Sequence, residues 1–177
     1  ISYSGISFIT PPNPGGEGYG ADRDFYIWGL GMSLIKGQIP QIWADNKDFL
    51  DLDPVMADYF RRLAQARYGY ASQFLIYGQQ MRTPTIDAPR FLINGASNIP
   101  YSRVDYPPFN TTSVLLSGWK APNGDIGYIL TSIANTTIEV EGQMEIERPT
   151  PYIVNLVRDG ELQWTSLSTN ASYNFSL

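Results

Sequence analysis

Between residues 83 and 89 two X-Pro pairs, Thr83-Pro84 and Ala88-Pro89, separate stretches whose apolar residues recur with different periods. Before them, Met56, Tyr59, Phe60, Leu63, Ala66, Tyr70, Phe74 and Tyr77 follow helical spacing. After them the apolar positions alternate. A helix repeats every 3.6 residues and a strand every 2, so one element cannot run across that change. The residue before a proline is also pushed out of the helical region. The reading is therefore an α+β chain, with a helical part over 1–88 and an all-β part over 89–177.

Within the first part, ISYSGISFIT at 1–10 alternates like a short strand, and PPNPGGEGYG at 11–20 is a loop. Asp22 is placed to cap a helix carrying Phe25, Trp28, Met32 and Ile35, with Gly37 at its end and Pro40 stopping it. Gly29 and Gly31 each weaken that helix by about 1 kcal/mol against Ala. Asp53 caps a second helix with Pro54 at its first position and Gly78 as its stop. Read as one piece, it would be roughly 35 Å long, and no other helix is expected to cover it. Arg61, Arg62 and Arg67, flanked by Asp58, read as its solvated face.

In the second part, strands are expected at 91–93, 114–120, 126–132, 137–146, 152–158 and 162–166. Asn123-Gly124 between two apolar runs predicts a type I′ hairpin turn, and Arg158-Asp159-Gly160 a second turn. Strands so short and so spaced predict an antiparallel β-sandwich.

The chain has 177 residues, no His and no Cys, and these absences remove whole chemistries. Thiol nucleophiles, disulfides, cysteine zinc sites and histidine-based triads are unavailable within it. No calcium-loop motif and no cofactor motif is present, so neither metal nor cofactor is expected. A net charge of −5 with three lysines argues against nucleic acid as a partner. The sequence contains no long apolar span for a membrane. Four N-x-[ST] sequons, at Asn110, Asn135, Asn170 and Asn174, predict a secreted, extracellular glycoprotein.

FYIWGLGMSLIKGQIP, followed by ADYFRRLAQARYGYASQFLIYGQQMRTP, resembles the end of a catalytic (β/α)8 barrel of the α-galactosidase and endo-α-N-acetylgalactosaminidase type. The matched ending is Leu75-Ile-Tyr77-Gly78-Gln-Gln-Met-Arg82-Thr-Pro84. The hairpin Ser117-Gly-Trp119-Lys-Ala121-Pro122-Asn-Gly124 is similar to one opening the C-terminal β-sandwich of such proteins. QIPQIW after Gly37 departs from the pattern in lacking a Gly-Trp pair. The resemblance implies that 1–88 holds the last elements of an incomplete barrel and 89–177 a supporting sandwich. It implies carbohydrate as substrate, an upstream barrel portion as partner, and catalytic carboxylates upstream of Ile1. The segment alone is then not expected to catalyse.

Glycoside cleavage uses two carboxylates about 5–9 Å apart, and the candidates within this chain are Glu17, Asp22 and Asp24. Glu17 and Asp22 also read as a loop residue and a helix cap. Trp43, with Asp45 and Asn46 beside it, is the candidate for sugar contact. Trp28 falls in phase with the apolar stripe of its helix, and Trp119 reads as hairpin or interdomain packing. Two rival readings are a non-catalytic carbohydrate-binding or adhesion module and a glycosylated structural subunit of an extracellular assembly. The latter predicts self-association of the chain.

Overall fold

The computed structural model describes residues 6–9, 20–21, 23–42, 54–94, 96–97, 107–134, 136–145, 151–169 and 172–176. The chain begins with a β-α-β unit. Strand β1 (Ile6–Ile9) is followed by a two-residue strand β2 (Gly20–Ala21), helix α1 (Arg23–Ile35) and strand β3 (Ile39–Ile42). β1 and β3 pair in parallel, Ile6 opposite Ile39 and Ile9 opposite Ile42. Helices α2 (Pro54–Tyr68) and α3 (Ser72–Leu75) come next.

The remainder is β-structure. The first strands are β4 (Gln79–Met81), β5 (Ile86–Asp87), β6 (Arg90–Ile93), β7 (Ala96–Ser97) and β8 (Phe109–Thr112). A hairpin of β9 (Val114–Lys120) and β10 (Ile126–Ser132) follows, then β11 (Glu141–Glu145), β12 (Tyr152–Arg158), β13 (Glu161–Ser168) and β14 (Ser172–Ser176). Among the described residues every pairing except β1–β3 is antiparallel: β10-β9-β4, β14-β11-β5, β12-β13, β6-β8 and β2-β7. The fold is mixed α+β, as the change of period requires.

α1 lies at the centre. It is apolar nearly all round because it is covered on two sides. Tyr26, Leu30 and Leu34 face Met56 and Leu63 of α2, in a core completed by Phe74, Leu75, Trp119 and Ala121. Ile27 and Ile35 pack with Ile93, Leu115 and Ile133 of the β-structure. Gly31 permits this closeness, since a Cβ there would lie 2.8 Å from the Tyr59 hydroxyl and 2.9 Å from Leu115 Cδ1. The first core thus joins residues on both sides of position 88.

Several sequence expectations are corrected. The helix begins at Pro54 as its N1 proline requires, but it is not one rod. α2 is 15 residues, about 22 Å long. It ends where Gly69 N–H bonds to the Gln65 carbonyl and Ala71 N–H reaches back to Ala66. Tyr70 and Tyr77, counted on the apolar stripe, are exposed. The buried face of α2 is covered by this chain's own α1 and β9–β10 residues, so it needs no outside neighbour.

Arg67, expected in solvent, is only 5% exposed. Its guanidinium donates to the carbonyls of Gly37 (2.7 Å) and Leu75 (3.2 Å), carbonyls at the ends of α1 and α3 that have lost their helical partners. The segment after Gly37, read as a stop because of Pro40, is strand β3. Residues 137–140 form no ladder, and the expected strand 137–146 begins only at Glu141.

Asn123-Gly124 is not a type I′ turn. Gly124 N–H bonds to the Ala121 carbonyl, and Gly124 alone has positive φ, +89°. Pro122 at the second position fixes φ negative and selects the type I geometry. The type I′ turn occurs instead at Asp159-Gly160, with φ of 52° and 85°, between the paired Arg158 and Glu161.

Candidate functional site

Trp119 is not a sugar platform. It is 6% exposed, its indole N–H donates to Ser117 Oγ at 2.8 Å, and its ring edge closes on Gly37. Trp28 packs edge-on against Phe109 at 4.8 Å, as its helical phase predicts. An exposed tryptophan stands elsewhere, Trp164, beside the half-buried Tyr173 at 6.2 Å. Sequence reasoning passed over Trp164, although it lies within the expected strand 162–166, whose residues are mostly exposed.

One chemistry-bearing concavity is a cleft of about 510 Å³ where the first turn of α1 meets the β-structure. That volume falls within the usual range for small-molecule sites. Asp24 enters from α1, Arg90 and Phe91 from β6, and Glu139 from the segment that fails to become strand. Ser113, at the bend between β8 and β9, also lines the cleft. Its N–H bonds to the Pro89 carbonyl at 2.8 Å, and its carbonyl accepts from Ile133 N–H at 2.9 Å. Both of these neighbours line the cleft as well. Ser113 is 2% exposed, and its hydroxyl has no hydrogen-bond partner among the described residues. A buried hydroxyl left in that state costs about 1–3 kcal/mol.

The arrangement offers carboxylate acceptors, a guanidinium donor, hydroxyls able to do either, and the half-buried ring of Phe91. Of the candidate acids, Asp24 is brought to the cleft. Glu17 and Asp22, together with Trp43, Asp45 and Asn46, lie outside the described residues. Asn110 is exposed on β8 and Asn174 on β14, whereas Asn135 and Asn170 also lie outside. Sequence reasoning missed Arg90, Ser113 and Glu139, since nothing in their spacing announces a site assembled from four separate segments.

Elsewhere the strongest electrostatic feature is on the outer face of α2. Arg61 and Arg62 hold the Asp58 carboxyl below its usual range through hydrogen bonds at 2.5 and 2.7 Å. Arg62 also reaches Asp159 at 3.2 Å, tying α2 to the β12–β13 turn. Among the described residues no group of three acidic or His/Cys side chains is placed to hold a metal, and no helix is long and apolar enough to cross a membrane.

The fold and cleft together define a mixed α+β protein with mostly antiparallel strands and a β-α-β unit packed on them. No known protein family, curated relative or solved structure matches the chain.

Proposed function

We propose that this chain is the C-terminal part of a secreted, glycoside-hydrolase-like protein acting on carbohydrate. In this reading β1, α1, β3 and α2 are the last elements of a (β/α)8 barrel, and the antiparallel strands form a supporting sandwich. The catalytic carboxylates lie upstream.

The observation that carries the reading is the parallel pair β1–β3. Among the described residues its outer edges carry no further strand. Parallel strands linked through a helix belong almost entirely to larger sheets covered on both faces, and an unpaired edge leaves backbone groups without a ladder. A sheet continued by strands of the same polypeptide satisfies both requirements. The coverage of α2 within this chain moves the weight of the reading from the helix to this sheet. The exposed side chains of Asn110 and Asn174 are consistent with glycosylation.

A non-catalytic carbohydrate-binding module is the second reading, favoured by the exposed Trp164 of β13 beside the half-buried Tyr173 of β14. Intact mass of the native protein separates the two. A mass well above the 19.8 kDa of this sequence, with hydrolysis of aryl glycosides by the native protein and none by this chain alone, is expected. A native mass of 19.8 kDa plus N-glycans overturns the barrel reading and leaves the binding module.

A further inference from the structure

We propose that the outer face of the β6–β8 ribbon seats an N-glycan on Asn110, whose first N-acetylglucosamine packs its C–H face on Leu92. For the presence of a glycan this rests on the secreted reading above. It adds a position for the sugar and a role for the leucine.

The strand register carries the inference. β6 and β8 run antiparallel with Leu92 directly opposite Asn110 and Arg90 opposite Thr112. Residues paired in this way share one face of the ribbon, with Cβ atoms about 4.5–5.5 Å apart. Phe91, Ile93 and Phe109 alternate to the other face, where they join the core beside α1. The outer face therefore gathers the two residues that define the sequon, Asn110 and Thr112, with one aliphatic side chain and one cation. Leu92 is 55% exposed, although its neighbour Ile93 is fully buried. Arg90 donates to the Asn110 carbonyl at 3.1 Å, and the Thr112 hydroxyl donates to the Val114 carbonyl at 2.9 Å. Both bonds end on backbone, so they hold the chain around the attachment point while Asn110 itself stays exposed.

The tether names the occupant. The first sugar of an N-glycan is β-linked N-acetylglucosamine, with axial C–H bonds on one face and polar groups around its rim. Attached at Asn110, it already stands beside Leu92 and covers it without the entropy cost of capturing a separate partner. Asn174 provides the contrast, because its cross-strand neighbour is Gln143, which offers no aliphatic branch of that kind.

In the native protein, peptide mass spectrometry should find Asn110 glycosylated. The contact is read on the full chain, secreted from a eukaryotic host. Nuclear Overhauser contacts should join the first sugar at Asn110 to the Leu92 methyls. The glycosylated chain should melt about 2–4 °C above Asn110→Gln. Trimming the glycans of both to the first sugar should keep that difference, because that sugar alone makes the contact. Leu92→Thr retains a β-branched strand former and should abolish the difference. In the Asn110→Gln background the same change should leave the midpoint nearly unchanged.

A native protein with glycans at other sequons and none at Asn110 overturns this proposal and keeps the secreted reading. Native sequons that are all bare overturn both. An occupied Asn110 without the Leu92 contacts, or a melting difference indifferent to Leu92→Thr, overturns the proposal alone. A dimer of the secreted chain that Leu92→Thr dissolves makes this face an interface between copies, with the same consequence.

Discussion

Gly31 looks like a weakness when α1 is considered alone, and it becomes a requirement once α2 is packed. Its missing side chain is the space taken by the Tyr59 hydroxyl and Leu115. Gly31→Ala gains about 1 kcal/mol of helix propensity but forces the buried ends of the Tyr59 and Leu115 side chains to shift, which costs about 1–3 kcal/mol. Net destabilisation in urea unfolding is expected, and a stabilised variant would show that α1 and α2 do not meet there. Tyr59 repays the approach by sharing a 3.0 Å hydrogen bond with Thr131. Arg67 shows a similar reversal. A cation four residues after Leu63 reads as surface, yet it closes two helix ends whose carbonyls a neutral side chain would leave bare.

At the scale of elements, turn chemistry decides which hairpin takes which form. Asn-Gly and Asp-Gly carry the same preference for positive φ. Only the second realises it at both positions, because Pro122 precedes the first. Gly160 has a φ of +85° and nothing within 4 Å of where a Cβ would stand. Gly160→Ala therefore isolates backbone strain from packing, and a loss of about 1–2 kcal/mol is expected in thermal or denaturant unfolding. A neutral result would mean that the β12–β13 turn relaxes to another geometry.

The strands at 114–120, 126–132 and 152–158 were legible because alternating runs flanked by turn residues admit few other readings. β3 was not legible. Its proline and its four-residue length hide a pairing that depends on β1, more than thirty residues away. The reading of 137–140 erred in the opposite direction, since β-branched residues favour strand but among the described residues no strand pairs with them.

At the scale of the molecule, one apolar core spans the helical and β parts through Trp119, so the two should lose structure together. Alkali offers a way to see this. Burial pushes the hydroxyls of Tyr26 and Tyr59 up to about 12 from an ordinary value of 10, with the Thr131 contact partly offsetting burial at Tyr59. The folded state thus holds these protons more tightly than the unfolded one. Their contribution is fully present below pH 10 and is lost as pH rises from 10 to about 12. Unfolding free energy should fall across that window. Tyr59→Phe should make the fall shallower, and an unchanged slope would mean that Tyr59 is not buried in solution.

The sequence by itself determined the mixed α+β character, the start of α2 at Pro54, the hairpins at 114–132 and 152–168 and the exclusion of thiol and imidazole chemistry. Each of these follows from local rules of spacing, backbone geometry or residue type. Only the tertiary structure decided that α2 breaks at Gly69, that Arg67 is buried, that β1 pairs with β3, and that Asp24, Arg90, Ser113 and Glu139 share a cleft. The physical reason is that these depend on groups far apart in the chain satisfying one another. Local periodicity records which way a residue faces within its own element, and carries no information about what the fold will bring opposite it.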